Sequence, residues 1–199
     1  MYALILAGGE GSRLGLGEKP LVSVGGIPMI RRVTDAFLRA GCEVVAVLSP
    51  RTPYTHNWCR ANGIPHYTAA GKGYVEDLVE AVTAMEISSP VFTCVTDLPF
   101  ISADIVADLA GIYAGCGKDA LSAWVPKDLA DEYCFHAPCV EVVSGVEACP
   151  AGVNILRGDA ISVPQDELRV LFRDPRLACH VNTRDALERA NRFVPTSFP

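Results

Sequence analysis

The sequence predicts an α/β protein in which a mostly parallel sheet is covered by helices on both faces, giving three layers. Short apolar segments with strand character alternate along the chain with segments of helical periodicity, which is the pattern of such a sheet. The chain has 199 residues, half of them hydrophobic, and can therefore bury one sizeable core. We expect residues 1–199 to form a single domain.

The strand predictions rest on short apolar segments bounded by turn residues. Tyr2–Ala7 leads directly into a glycine-rich loop, and Pro90–Thr96 has the character of a buried strand. In chain order, we expect strands over residues 2–7, 43–48, 64–68, 90–96, 120–125, near 140–143 and over 150–156. The last of these should resume the sheet after an interruption.

The helix predictions rest on apolar residues at helical spacing and on residues that start or stop helices. In the first helix four apolar residues share one face, and Gly41 ends it. Thr52 is expected to cap the second helix and Pro53 to be its first residue, and Ser102 is expected to cap the fourth helix. In chain order, we expect helices over residues 27–38, from 53, from 70 to about 85, from 103 to about 113, and from 181.

The segment 126–150 interrupts this alternation. Its prolines, glycine and charged residues predict an irregular excursion with one strand near residues 140–143. We expect this excursion to lie over the ligand-binding edge of the sheet.

The loop after the first strand, Gly8-Gly-Glu-Gly-Ser-Arg13 with Lys19 six residues later, has the composition of a triphosphate site. Small residues let the backbone approach phosphates closely, and successive backbone N–H groups form a concavity that binds anions. Arg13 and Lys19 can neutralise the remaining charge. The alternative is a plain glycine turn with a solvated arginine and lysine. The nucleotide-binding candidates here are Leu6, Ala7, Gly8, Gly9, Gly11, Ser12, Arg13 and Lys19.

Two better-known phosphate loops fit the sequence poorly. A dinucleotide-binding fingerprint that begins at Gly9 would need glycine or alanine in place of Leu14, and an acidic residue near the end of the second strand, where residues 49–50 are Ser-Pro. A P-loop would need serine or threonine directly after Lys72, where the chain has a glycine.

Polar residues follow several of the predicted strands, at residues 8–19, 49–53, 71–77 and 97–99. In open α/β sheets, ligands bind at this edge, outside the carboxyl ends of the strands. Asp97 follows a buried strand directly and is the predicted Mg²⁺ ligand, because one or two carboxylates, water and substrate phosphates are the usual ligands of Mg²⁺. The alternative for Asp97 is a cap of the following turn. Asn182 is either a helix cap or a further site residue.

Composition and charge exclude other function classes. The formal net charge is −6 and no run of basic residues occurs, so nucleic-acid binding is not expected as the main role. The first apolar segment is too short to span a bilayer and no charged segment precedes it. We therefore expect no signal peptide, no membrane insertion and a cytoplasmic location. The sequence leaves the oligomeric state open.

The eight cysteines and four histidines are not expected to be catalytic. The cysteines are dispersed, and most should be small buried hydrophobic residues. Cys134-x-His136-x-x-Cys139, with Cys149 ten residues later, matches no paired zinc-binding spacing, so core or loop positions are favoured over a metal site. No histidine stands beside a recognisable serine or cysteine nucleophile motif, so all four should be structural or surface residues.

These residues together resemble the glycosyltransferase-A-like nucleotidyltransferases, the group that contains molybdenum-cofactor guanylyltransferases and sugar-phosphate nucleotidyltransferases. Residues 6–13 (LAGGEGSR) and 18–20 (EKP) match the signature of that group, and Asp97 matches its metal-binding aspartate. The resemblance implies a Rossmann-like, three-layer fold and transfer of a nucleotidyl group. It also implies catalytic roles for Arg13, Lys19 and Asp97, with Mg²⁺ as cofactor.

A closer resemblance, over nearly the whole chain, is to the archaeal GTP:adenosylcobinamide-phosphate guanylyltransferases of cobalamin assembly. It rests on residues 49–53, 71–78, 150–154 and 181–185. It implies GTP and a phosphorylated corrinoid acceptor as substrates, with the phosphates held by Gly8, Arg13 and Lys19. Gly152 and Asn182 would also be functional positions, Asn182 as a second metal ligand. The base and ribose would be held by the segments 49–53 and 71–73, which include Ser49, Pro50, Thr52, Gly71, Lys72 and Gly73.

Two alternative functions stay open. One is a molybdenum-cofactor guanylyltransferase, which shares the donor, the fold and the first loop. The other is a nucleotide-binding regulatory module that keeps the fold without turnover. Lys19, Arg13 and Asp97 together favour an enzyme, because a pure binder needs no metal at the α-phosphate. The segment 127–148 carries the least resemblance, so the acceptor side is the least specified.

Overall fold

The computed structural model describes residues 1–12, 14–133 and 139–193. The strands in these ranges are β1 Tyr2–Leu6, β2 Ser23–Val24, β3 Ile27–Pro28, β4 Glu43–Leu48, β5 His66–Thr68, β6 Pro90–Val95, β7 Ala120–Pro126, β8 Glu141–Val143, β9 Val146–Arg157 and β10 Glu167–Leu171. The α-helices are α1 Met29–Arg39, α2 Pro53–Ala61, α3 Tyr74–Ala84, α4 Ala103–Cys116, α5 Lys127–Glu132, α6 Pro175–Ala178 and α7 Arg184–Phe193. Two short 3₁₀ helices span Lys19–Leu21 and Gly158–Ala160. No helix within the described ranges is long and apolar enough to cross a bilayer.

The main sheet has the strand order β10–β7–β9–β6–β1–β4–β5, and β8 pairs with β9. β6, β1, β4 and β5 pair in parallel, and so do β7 and β10. β9 runs antiparallel to both of its neighbours, β6 and β7, so those two strands share one direction. The predicted mostly parallel α/β sheet is confirmed.

Helices cover both faces of this sheet. Because successive residues of a strand point to opposite faces, β4 contributes Val44, Ala46 and Leu48 to one core and Val45 and Val47 to another. Helices α1, α2 and α4 pack on the first face, and α3 packs on the second. The predicted three layers are therefore present.

The carboxyl ends of the central strands meet at one edge of the sheet. β1, β4 and β6 end at Leu6, Leu48 and Val95, and the segments that follow them all leave from this edge. The backbone N–H of Val181 donates to the carbonyl oxygen of Asp97 at 3.0 Å. This bond brings the segment before α7 to the same edge, although it lies far away in sequence.

The first helix begins two residues later than the sequence predicted. Ile27 and Pro28 instead pair with Ser23 and Val24 in a small antiparallel ribbon. The two glycines between these strands have φ values of 59° and 76°, the left-handed conformation that a two-residue hairpin turn requires. The proline also disfavours a helical conformation at Ile27. Local turn chemistry therefore overrides the apolar periodicity here.

The described residues of the segment 126–150 are more regular than the irregular excursion that the sequence predicted. Residues 127–132 form α5, and β8 and the first part of β9 form a hairpin in which Val143 pairs with Val146. Ser144 and Gly145 have φ values of 51° and 80°, again the conformation of a two-residue hairpin turn. The predicted strand near residues 140–143 is confirmed. The expected position of the segment over the ligand-binding edge stays a prediction.

No disulfide joins the described cysteines to one another. Cys59, Cys94, Cys149 and Cys179 are buried, as predicted for small hydrophobic residues, whereas Cys139 is exposed. Cys134 and His136 of the predicted Cys/His cluster lie outside the described residues.

Candidate active site

A cleft of about 280 Å³ opens at the carboxyl edge of the sheet. Its floor comes from the ends of the central strands, at Leu6, Val47 and Val95. Such a crevice is where open α/β sheets bind their ligands. The other lining residues come from the segments that follow the strands and from α3: Gly8, Gly9, Glu10, Lys19, Arg51, Gly73, Tyr74, Asp77, Thr96 and Asp97.

Two glycines of the first loop are required by close approaches. A side-chain carbon at Gly8 would lie 3.1 Å from Ser49 Cβ, and the Ser49 hydroxyl donates to the Gly8 carbonyl oxygen at 2.9 Å. Gly11 has a φ of +70°, and a side-chain carbon there would lie 2.8 Å from Lys19 Cβ. The loop therefore folds directly onto Lys19, which only glycine allows.

Glu18 fixes the position of the neighbouring Lys19. Its carboxylate accepts hydrogen bonds from the backbone N–H groups of Tyr54 and Thr55, at 2.8 and 2.6 Å, at the start of α2. A carboxylate at a helix N-terminus is favourable because it satisfies free N–H groups and complements the helix dipole. Thr52 stands at the predicted cap position, but its hydroxyl instead donates to the backbone oxygen of Ser49. The anchor of α2 thus comes from the first loop.

Lys19, Asp97 and Asn182 meet at one end of the cleft. Lys19 Nζ donates to Asp97 Oδ2 at 2.5 Å and to Asn182 Oδ1 at 2.5 Å. Asp97 is 5% exposed and Asn182 is half-buried. A cation therefore sits between two hard oxygen atoms, beside the glycine-rich loop.

The environment of Asp97 keeps its carboxylate ionised. Burial raises the pKa of Asp97, but the neighbouring His180 and Lys19 lower it by more, so the net pKa lies well below the usual range. His180 is buried, and its Nδ1 lies 3.7 Å from Asp97 Oδ1. The sequence placed His180 among structural or surface residues and did not indicate that it neighbours Asp97.

The donor atoms at this position fit Mg²⁺. Asp97 Oδ1 is buried and accepts no hydrogen bond from the described residues, so this anionic oxygen has unused capacity. The other carboxylate oxygen, Asp97 Oδ2, and the carbonyl oxygen of the Asn182 amide each lie 2.5 Å from Lys19 Nζ. Within the described ranges no cluster of three or more His, Cys, Asp or Glu residues could hold a metal. The site therefore suits a cation that takes few protein oxygens and completes its shell with water and phosphates.

The second loop, residues 71–73, is held by side chains from two directions. Asp77 Oδ1 accepts from the backbone N–H groups of Gly71 and Lys72, both at 2.9 Å, and Arg51 donates to the carbonyl oxygen of Gly71. Gly71 has a φ of +75°, and a side-chain carbon there would lie 3.3 Å from Ser49 Cβ. The loops after β4 and β5 are thus joined into one wall of the cleft.

Gly152 supports the site from behind. It lies on β9 with a φ of +73°, and a side-chain carbon there would lie 2.7 Å from Val95 Cγ2 and 3.5 Å from the His180 ring. Val95 lines the cleft and His180 neighbours Asp97. A larger residue at position 152 would therefore displace the groups that position the carboxylate.

The predicted site residues fall into distinct groups. Several line the cleft: Leu6, Gly8, Gly9, Lys19, Gly73 and Asp97. Others hold the lining residues in place: Gly11, Ser49, Gly71, Gly152 and Asn182. Others are buried or exposed without lining it: Ala7, Ser12, Pro50, Thr52 and Lys72. Arg13 lies outside the described residues.

Among the residues at the site that the sequence did not predict are Arg51, Tyr74, Asp77 and His180. Three of them stand inside or beside the segments 49–53 and 71–78, which the sequence had singled out. The Tyr74 hydroxyl lies 3.2 Å from Thr93 Oγ1, on the buried strand β6. Only the folded arrangement shows that these side chains turn toward the cleft.

A mixed sheet with glycine-rich and acidic segments at its carboxyl edge defines a nucleotidyltransferase fold. Residues 3–161 match the model of the MobA-like NTP transferase domain. The chain belongs to that family.

Two curated relatives cover nearly the whole chain. The adenosylcobinamide-phosphate guanylyltransferase of Methanocaldococcus jannaschii is 29% identical over 98% of this chain and 97% of its own length. The molybdenum cofactor guanylyltransferase of Cupriavidus necator is 27% identical over 92% of each chain. Both alignments extend beyond the matched domain into the segment that carries Asn182.

Solved structures share the fold at lower identity. A CMP:2-keto-3-deoxy-manno-octonic acid synthetase, solved with CTP, superposes with a TM-score of 0.74 at 19% identity and covers 96% of each chain. A hypothetical transferase from Thermus thermophilus superposes with a TM-score of 0.70 at 15% identity, over 94% of this chain and 100% of the other. These likenesses confirm the predicted nucleotidyltransferase fold.

Proposed function

We propose that this protein transfers GMP from GTP to adenosylcobinamide phosphate. A phosphate oxygen of the acceptor attacks the α-phosphorus of GTP in line, the bond between the α-phosphorus and its bridging oxygen breaks, and pyrophosphate leaves. The product is adenosylcobinamide-GDP. The observation that carries the proposal is the Lys19–Asp97–Asn182 centre beside a glycine-rich loop, in a cleft at the carboxyl edge of the sheet.

The chemistry asks the protein for orientation and charge rather than for a general base. A phosphate monoester has a second pKa near 6 and is largely dianionic at neutral pH, so the nucleophile needs no deprotonation. Catalysis then consists of alignment and of stabilisation of crowded negative charge. Lys19 supplies positive charge where the glycine-rich loop brings backbone N–H groups, and Arg13 is proposed to supply more. The ionised Asp97 and Asn182 supply oxygen ligands.

Asp97 and Asn182 are proposed to hold Mg²⁺, which would neutralise charge on the α-phosphate when bound. Asp97 is suited to this role because its carboxylate stays ionised at every physiological pH. Lys19 lies between these two oxygens, so a cation held by both of them would displace the lysine toward the phosphates. The hydrogen bond from the Val181 N–H to the Asp97 carbonyl oxygen would keep Asn182 close to Asp97 in either position of the lysine.

The identity of the acceptor rests on the relatives. The alignment with the archaeal enzyme covers 98% of this chain, and it includes the segments 150–154 and 181–185 that the sequence had singled out. The molybdenum-cofactor enzyme supports a second candidate acceptor, at 27% identity over 92% of the chain. Both candidate functions use GTP as the nucleotide donor, so the residues that bind GTP cannot distinguish one acceptor from the other. A cytoplasmic location is part of the proposal.

The test offers the purified protein GTP and Mg²⁺ with one of two acceptors. One is adenosylcobinamide phosphate, and the other is a molybdopterin-loaded acceptor. Pyrophosphate release is followed and each product is identified by mass. A GDP-linked corrinoid supports the proposal, guanylylation of the pterin alone would move the assignment to the second candidate, and no pyrophosphate with either would favour a non-catalytic nucleotide-binding module.

A further inference from the structure

Asp77 has the contacts of a residue that holds a loop with one oxygen and binds a ligand with the other. It is 8% exposed and lines the cleft, and its Oδ1 accepts two backbone hydrogen bonds from the loop 71–73. No hydrogen bond from the described residues reaches its Oδ2. An ionised carboxylate only accepts hydrogen bonds, so a partner of Oδ2 must present N–H or O–H groups.

Arg51 lies beside Asp77 and adds hydrogen-bond donors, whereas the Asp77 carboxylate only accepts. Both side chains hold the same residue, because Arg51 donates to the Gly71 carbonyl oxygen and Asp77 accepts from the Gly71 N–H. A guanidinium carries five N–H donors in a fixed plane, so several stay available for a ligand. The cleft therefore presents a donor group and an acceptor group that are both bonded to the same loop residue.

These two side chains lie away from the phosphate end of the cleft. Asp97 follows β6 and Arg51 follows β4, and β1 lies between these strands. Two strand spacings amount to about 10 Å, roughly the separation of a nucleotide's base from its phosphates. With the triphosphate at Lys19, the base would therefore reach Arg51 and Asp77.

We infer that Asp77 binds the N1–H and 2-amino groups of guanine, with Arg51 toward O6 and N7, and thereby sets the base specificity of the cleft. Guanine has two donors on one edge and the acceptors O6 and N7 beside them, and arginine is a common partner of those two acceptors. Adenine has a hydrogen-bond acceptor at N1, and an acceptor facing the Asp77 carboxylate forms no hydrogen bond, so adenine nucleotides would bind more weakly. The inference rests on the proposed function, in which GTP is the donor, and adds the residue that selects the base.

The experiment measures nucleotide affinities by calorimetry with Mg²⁺ and without an acceptor. Wild-type protein should bind inosine triphosphate, which lacks the 2-amino group, about 10- to 150-fold more weakly than GTP, the usual range for a hydrogen bond to a charged group. Asp77→Asn keeps an oxygen for the loop but adds an amide donor. It should weaken GTP more than inosine triphosphate, because only GTP places a 2-amino donor against the new amide donor.

Glu80→Gln is the matched control. Glu80 lies on the same helix and accepts from the backbone N–H of Ala70 at 3.2 Å, next to the bonds of Asp77, yet it does not line the cleft. The ratio of GTP to inosine triphosphate affinity should therefore stay unchanged in this variant. A loss of both nucleotides in Asp77→Asn, with that ratio preserved, would assign Asp77 to loop support alone and overturn the inference.

The wild-type measurement decides the question even if Asp77→Asn fails to fold. Equal affinity for GTP and inosine triphosphate would overturn the inference. Selective GTP binding with the predicted change of specificity, but without transfer to a corrinoid, would support the inference while the proposed function fails. The two claims are therefore separable.

Discussion

Replacing Lys19 by alanine should weaken GTP binding by about tenfold or more and change GMP binding much less. A charge-assisted hydrogen bond contributes about 1.5–3 kcal/mol, which corresponds to about 10- to 150-fold in Kd. In the free protein Lys19 already bonds Asp97 and Asn182, at 2.5 Å each, so binding exchanges one set of oxygen partners for another. The net loss should therefore lie toward the lower end of that range.

Calorimetry with both nucleotides measures this difference directly. GMP lacks the β- and γ-phosphates to which Lys19 is assigned, so its affinity serves as the internal reference. Lys118→Ala is a suitable control, because Lys118 also pairs with an aspartate, Asp166 at 2.7 Å, but does not line the cleft. Equal losses of GTP and GMP affinity in Lys19→Ala would refute the assignment of this lysine to the distal phosphates.

The other predictions concern Asp97 and Gly152. Asp97→Asn should lower the rate of pyrophosphate release on the order of 10²-fold or more, because the variant loses a group that stabilises transition-state charge. Thermal unfolding should show that the variant is folded. Turnover near the wild-type rate would exclude the metal role of Asp97. Gly152→Ala should lower the free energy of unfolding in urea by about 2–4 kcal/mol, from left-handed backbone strain and overlap with Val95. Gly145→Ala, at φ +80° with no atom within 4 Å of the added carbon, isolates the strain and should cost less. The folded-state pKa of Asp97 lies below its unfolded value of about 3.9, so its stabilisation is present above that pH and is lost as the pH falls. The stability difference between wild type and Asp97→Asn, which removes the titrating group, should therefore shrink from pH 6 to pH 3, and a constant difference would contradict the lowered pKa of Asp97.

The sequence predicted the elements whose signals are local. β4 has the predicted bounds, residues 43–48, and Pro53 is the first residue of α2. Asp97 could be predicted because it directly follows an apolar strand, and ligands collect at that edge of an α/β sheet. The family signature in residues 6–20 then identified the fold that the structure confirms.

The arrangement of the site could not be predicted, because it depends on contacts between residues that are distant in the sequence. Lys19 is 78 residues from Asp97 and 163 residues from Asn182, and no local pattern brings these three together. His180 carried no motif, and it neighbours Asp97 only because Val181 bonds to the Asp97 backbone. Thr52 stands at the predicted cap position of α2, but the side chain that bonds the first N–H groups of this helix is Glu18, on another loop.

Two elements that the sequence did not predict, β10 and the β8–β9 hairpin, were missed because their local signals are weak or are hidden by neighbouring residues. β10, Glu167–Leu171, has charged residues alternating with apolar ones and pairs at the end of the sheet, so its apolar signal is weak. The β8–β9 hairpin was hidden by prolines and charges around it, although Ser144-Gly145 between apolar residues is a hairpin signal. In this segment the turn residues predict the hairpin, whereas the overall composition does not.

The fate of labelled phosphorus tests the central claim most directly. The protein is incubated with Mg²⁺, adenosylcobinamide phosphate and GTP labelled either at the α- or at the γ-phosphate, and the products are separated. Attack at the α-phosphorus predicts α-label in the corrinoid product and γ-label in pyrophosphate, with equal amounts of both formed. Label from the γ-position in the corrinoid, or release of inorganic phosphate in place of pyrophosphate, would contradict guanylyl transfer at the Lys19–Asp97–Asn182 centre.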